Sequence, residues 1–274
     1  MAEQRHNKDA ASLDSANWPS GGFANGAELA IVDSGQTLAD LDRTADTTTG
    51  INYLHIRDGK PTCGDDTNGN LKIETAVAYT TKPNFVWATR GGKCRVEFAT
   101  TACNKAVFMA GGGESFIVSG TIDDLVIAGS GVVHILSGVT ITGDIYIMGA
   151  AEVIIQDVGT IANVYVSEQA RVDCEALVQN LTMRHFCRVR LDNQSGTAMT
   201  SFTFEGGTFI PVAGDVPSVV WWAGTFDVSE VQEAVSIGTT SFVANGSGLV
   251  PPPPSSLLTV GTPTQLLPAA PISK

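Results

Sequence analysis

Asp124-Leu125-Val126-Ile127, Asp144-Ile145-Tyr146-Ile147, Asn163-Val164-Tyr165-Val166 and Asn180-Leu181-Thr182-Met183 are four copies of one short phrase: acid or amide, apolar, any residue, apolar. Their first apolar positions, 125, 145, 164 and 181, follow one another at 20, 19 and 17 residues. Seven or eight residues later each phrase is followed by a second strand-like pulse, at Val132, Val153, Val172 and Val189. A period near twenty that holds two β pulses marks a β-solenoid, in which each turn of chain stacks on the one before. Alternation along a strand sends Leu125 and Ile127 to one face and Val126 to the other. Leu125, Ile145, Val164 and Leu181 then stack as one inner row, and Ile127, Ile147, Val166 and Met183 as another, with coils about 4.8 Å apart.

The register extends both ways. Upstream stand Val107-Phe108-Met109 and Val86-Trp87-Ala88, with second pulses at Phe116-Ile117-Val118 and from Cys94 to Phe98. Downstream come Phe202-Thr203-Phe204 and then Phe209-Ile210. The expected fold is therefore all-β, a solenoid of about seven coils over residues 84–212. Spacings of 17 to 21 are too uneven for the strict hexapeptide left-handed form and predict a right-handed β-helix. Glycine and serine between pulses, such as Gly129, Ser130, Gly131, Gly138, Gly143 and Gly149, suit the corners, where positive φ or a small side chain is needed. A core this long and thin must be capped at both ends.

The flanks divide further. Residues 1–27 are polar and aperiodic, an extended arm. Residues 28–83 carry strand candidates at Ala30-Ile31-Val32, Tyr53 to Ile56 and Leu71 to Val77, with an Asn68-Gly69 turn, and predict an N-terminal cap. Residues 213–248 predict a C-terminal cap, in which the Asp227/Glu230 spacing resembles a capping box opening a short helix through Ala234. Residues 249–274 predict an extended arm, because four prolines, Pro251 to Pro254, cannot join a sheet interior. Trp221 and Trp222, with Leu257, Leu258, Leu266 and Leu267 on that arm, are the expected interface residues, since large apolar groups in such places gain by covering another surface; burial of the tryptophans in the chain's own core and a floppy tail are the alternatives.

Composition narrows the function. A net charge of −12, with no basic cluster, disfavours nucleic acid and anionic membrane surfaces as partners. No apolar leader and no stretch approaching eighteen apolar residues is present, so neither a signal peptide nor a membrane helix is expected. Charged residues are only 16%, so Ser, Thr, Asn and Gly must supply the polar surface. The five cysteines, Cys63, Cys94, Cys103, Cys174 and Cys187, are odd in number and unevenly spaced, which predicts reduced thiols; Cys94, Cys174 and Cys187 fall within or beside coil strands and are expected as small core or near-core residues.

Two readings attach to the row Asp124, Asp144, Asn163, Asn180. Two carboxylates one coil apart would raise one another's pKa or recruit a cation, and on a strand face their separation could suit glycoside hydrolysis. Asn at half the positions favours the other reading, a corner-capping side chain for which Asn and Asp are interchangeable. Asp66, Asn68 and Asn70 alternate as in a calcium loop, but the twelfth position is Val77 rather than a bidentate Glu, so a polar turn is expected. His185 and Cys187 with Cys174 lack a fourth metal ligand. No serine elbow, phosphate loop or dinucleotide fingerprint occurs, and no catalytic residue, metal or cofactor is expected.

A β-solenoid rich in Ser, Thr and Gly with an arm at each end resembles bacteriophage virion proteins, the class of β-helical tailspikes and capsid decoration (cement) proteins. The resemblance covers composition and residues 84–212 and rests on no family-specific motif. It implies a non-enzymatic homotrimer, made in the host cytoplasm and bound to the major capsid protein on the outer capsid surface. Few coils, and outward residues such as Val126, Tyr146, Tyr165 and Thr182, favour decoration over a glycan-binding or glycan-cleaving spike.

Overall fold

The computed structural model describes residues 3–5, 29–32, 37–38, 54–57, 62–64, 70–73, 83–98, 103–192, 199–231, 235–242, 248–250, 258–260 and 264–265. Among them every ordered element is a strand and every strand pairing is parallel, as a chain winding always in one sense requires. No helix there is long and apolar enough to cross a membrane. The molecule is a β-solenoid.

Each turn has three strand-like sides. In one turn, Asp144–Ile147 forms the first side, Glu152–Ile155 the second, and Thr160–Ile161 the third, before Asn163 begins the next first side within the same strand, Thr160–Val166. Two strands bend through several sides without a break. Glu114–Gly129 runs through second, third and first, and Val132–Ile141 through second and third.

The inner rows are the ones the spacing predicts. Leu125, Ile145, Val164 and Leu181 are direct register partners and fully buried, and Phe202 and Val219 continue the row. Ile127, Ile147, Val166, Met183 and Phe204 make its companion. On the second side Val133, Val153, Val172, Val189, Phe209 and Phe226 stack, with Ile135, Ile155, Cys174 and Leu191 beside them. Towards the C-terminal end the rows change from aliphatic to aromatic. Phe202, Phe204, Phe209 and Phe226 pack as one cluster with ring centroids 4.6–5.9 Å apart.

The upstream strands stand one residue out of the expected register. Leu125 stacks on Ala106 and Phe85, not on Val107 and Val86, and Val133 rather than Val132 partners Val153. A one-residue slip exchanges the two faces of a strand, so Val107 and Val86 join the row of Val126. The larger neighbours Phe85, Trp87 and Phe108 fill the interior instead, Phe85 packing edge-on against Phe98 at 5.8 Å.

Parallel pairing does not stop at 84 or 212. Leu29–Val32 and Leu54–Arg57 lie in register below the first expected coil, and Val216–Trp221, Val235–Phe242 and Leu258–Val260 above the last. The helix expected after Asp227 does not form among the described residues. Asp227 Oδ1 accepts from Ser229 N (3.1 Å) and Ser229 Oγ (2.6 Å), an Asx turn between strands, and residues 232–234 lie outside the description.

Corners explain where the glycines stand. Gly149 has φ 78°, and a Cβ there would sit 2.6 Å from Gly129 O in the corner beneath. Further along the rod the same sharp bend is made by Glu168 and His185, at φ 63° and 64°, without glycine.

Candidate functional site

The first side presents two outward features, both set by the cassette. Its leading polar residue stands at the corner, where it meets its counterpart one coil away. Asp124 Oδ1 accepts from Asp144 N (3.3 Å), and Asn163 Nδ2 donates to Asp144 Oδ1 (2.7 Å). Asn180 Nδ2 donates to Asn163 Oδ1 and Ala162 O (both 3.0 Å), and Ser201 Oγ donates to Asn180 Oδ1 (2.8 Å). Asn84, fully buried, extends the same row downward, its Oδ1 accepting from Lys105 N at 3.2 Å. The row is thus a hydrogen-bonded ladder running up one corner. Asp124 and Asp144 belong to it as acceptors, the arrangement expected of corner-capping side chains rather than of a poised acid–base pair.

The third cassette position lies on the outer face and forms a mildly apolar column. Val86, Val107, Val126, Tyr146, Tyr165, Thr182, Thr203 and Val220 are successive register partners. Tyr146 and Tyr165 stack with their rings almost parallel, centroids 4.8 Å apart, the spacing of the coils themselves. The Tyr146 hydroxyl donates to Asp144 Oδ2 (2.8 Å), and this bond to a carboxylate, with its charge nearby, pushes the phenol up to about 12. Thr182 is much smaller than Tyr165, so the column steps down there. A cleft of about 180 Å³ opens at the step, lined by Tyr146, Met148, Tyr165, Ser167, Thr182 and Arg184. Arg184 is held by Glu205, Nε to Oε2 at 2.8 Å.

Exposed apolar groups gather on this flank and its corner: Tyr165 at 36%, Val220 at 39%, Trp222 at 45% and Phe186 at 86% exposure. Phe186 follows His185 at the corner whose positive φ turns the chain outward. Nothing in the cassette pattern marks it, because it lies between strands.

The second side has a different outer face. His134 stacks on Phe116 at 4.4 Å and its Nε2 lies 3.0 Å from Glu114 Oε1, while Arg95 covers the other part of Phe116 at 5.4 Å. Arg190 joins Asp173 (2.8 Å) and Glu230 (3.0 Å), and Arg188 also reaches Glu230 (3.4 Å), tying the turn at 230 to two coils.

Of the expected interface residues, Trp222 is exposed in the single chain rather than buried in its own core. Trp221 and Leu258 are placed through their backbones alone, in register with Phe204 and with Val235. Leu257, Leu266 and Leu267 lie outside the described residues, as do positions 65–69 of the Asn-rich turn. Cys174 sits in an inner row between Ile155 and Leu191, whereas the Cys187 thiol donates to Val166 O, so the two do not share a metal position. Among the described residues no three His, Cys, Asp or Glu side chains group as a metal site. All five thiols are buried and unpaired, and burial pushes Cys103 and Cys174 up to about 12 and Cys187 to about 11. The chain matches no protein-family model, no curated protein and no solved structure.

Proposed function

We propose that this chain is a structural, non-enzymatic component of a bacteriophage virion: a decoration protein whose rods associate side by side, as a trimer, and stabilise the capsid shell. One observation carries the reading, the exposed apolar flank formed by Tyr165, Phe186, Val220 and Trp222 along a rigid parallel ladder. Exposed apolar groups on a folded protein mark a surface for another protein, and several of them spaced along one flank of a rod offer small contacts that add up through multivalency. The carboxylates that an enzyme of this shape would use are engaged by the corner ladder.

Sedimentation equilibrium of the purified chain and electron microscopy of intact particles test the reading. A trimer, and density in many copies on the outer shell, are the expected results. A monomer, or a protein confined to the tail, would overturn it. The cleft at Tyr165 favours one second reading, adhesion to a glycan, since an aromatic face beside hydroxyl groups and a guanidinium suits a sugar ring. Binding on a glycan array that Tyr165→Ala abolishes would support that reading over decoration. Loss of depolymerising activity in Asp124→Asn or Asp144→Asn would instead make the chain an enzyme.

A further inference from the structure

In the inner row of the second side, next after Leu38, two thiols follow one another. Cys63 and Cys94 are direct register partners on adjacent parallel strands, both fully buried, and Ser115 and Val133 continue the row above them. The other three cysteines have no such neighbour. Cys103 is in register with Ile122, Cys174 lies between Ile155 and Leu191, and the Cys187 thiol faces the carbonyls of Val166 and Gly206.

We propose that Cys63 and Cys94 are a disulfide-forming pair that clasps the coil of Leu54–Arg57 to the coil above it. In-register neighbours on parallel strands stand about 4.8 Å apart, inside the ~4.4–6.8 Å Cα separation of disulfides. Their side chains point the same way into one row. The Cβ atoms therefore start slightly wider than the ~3.5–4.5 Å a disulfide prefers, and a small tilt of one strand closes the gap. Gly64, at φ 79°, directly follows Cys63 and gives that strand end the freedom to tilt.

The oxidant is a small-molecule disulfide such as oxidised glutathione. One protein thiol loses its proton and attacks a glutathione sulfur, expelling one glutathione thiolate. The second protein thiol, likewise deprotonated, attacks the protein sulfur of the mixed disulfide and expels the other. Two protons leave the protein, and its electron pair ends on the two glutathiones. Burial raises both thiols, so closed coils react slowly and the bond forms while the chain is folding. The clasp makes stability at this end of the solenoid depend on the redox poise under which the protein folds.

The full chain, refolded from denaturant with a mixture of oxidised and reduced glutathione, is alkylated and digested with trypsin. The expected result is loss of two of the five free thiols and a species joining residues 58–72 to the dipeptide Cys94-Arg95. A rise in the unfolding midpoint that dithiothreitol reverses accompanies it. Cys63→Ser and Cys94→Ser each abolish the linked species, whereas Cys174→Ser retains it. Five free thiols in the folded, oxidised sample, glutathione adducts alone, or a link between other cysteines would overturn the proposal. Where a serine variant fails to fold, the wild-type peptide map alone decides between these outcomes.

Discussion

Replacing Leu125 by alanine tests the register of the whole rod, because its neighbour Val126 lies on the opposite face of the same strand. Leu125 is fully buried, with Ala106 below it and Ile145 above. The change removes three carbons. At about 0.8 kcal/mol each, the lost transfer free energy is about 2.4 kcal/mol, and the residual cavity brings the total to about 3–4 kcal/mol. Val126→Ala removes two carbons from a half-exposed side chain and costs less than about 1 kcal/mol. Urea denaturation followed by far-ultraviolet circular dichroism measures both. Amide exchange then locates the Leu125→Ala loss, which should concentrate in the coils directly below and above, since each coil touches only its neighbours. Equal losses, or a larger loss from Val126→Ala, would mean that the strand faces the other way and that the inner rows have been misassigned.

Other outcomes follow from particular contacts. Gly149→Ala combines positive φ with a Cβ 2.6 Å from Gly129 O, whereas Gly159→Ala has positive φ and open space; thermal unfolding should show a loss above about 2 kcal/mol for the first and about 1 kcal/mol for the second. Asn163→Asp removes the donor to Asp144 Oδ1 and sets a carboxylate between Asp144 and Asn180. Two neighbouring carboxylates repel once both are ionised, so stability matches wild type most closely in acid and falls behind as rising pH ionises the pair. Tyr146 should titrate near 12, seen by alkaline absorbance, and Asp144→Asn should bring it down. Because the folded phenol lies above its unfolded value, any stabilisation it gives is intact below pH of about 10 and lost as pH climbs through the folded value. Phe186→Ser with Trp222→Ser should keep the circular dichroism spectrum and lower the mass seen in sedimentation.

The cassette was sufficient to read the fold wherever polar and apolar positions alternate cleanly, as from Asp124 to Met183. It misled where both faces are apolar. In Phe85-Val86-Trp87 every residue suits an interior, and only packing against Phe98 and Phe108 decides which side turns in. Thirty-one residues separate the stacked Leu54 and Phe85, so no periodicity search near twenty would join those coils. The Asp227/Glu230 spacing carries a helix-start signal, yet Asp227 caps its own turn and Glu230 is drawn to Arg188 and Arg190, forty residues away in sequence. The corner ladder was legible in its residues, and its chemistry became clear only when successive amides were seen bonding to one another. Phe186 carried no signal, because an exposed aromatic at a corner obeys no strand period.

The direction of the backbone bonds has a mechanical consequence. Among the described residues strands pair with the turn above, the turn below or both, so the amide–carbonyl bonds lie along the rod's long axis. Tension applied at the two tips peels one turn at a time, and the molecule should lengthen in small successive steps under modest load. Force applied along the strands, as when neighbouring rods slide past each other, must instead break several such bonds at once, so the same rod is stiff to shear and compliant to pulling.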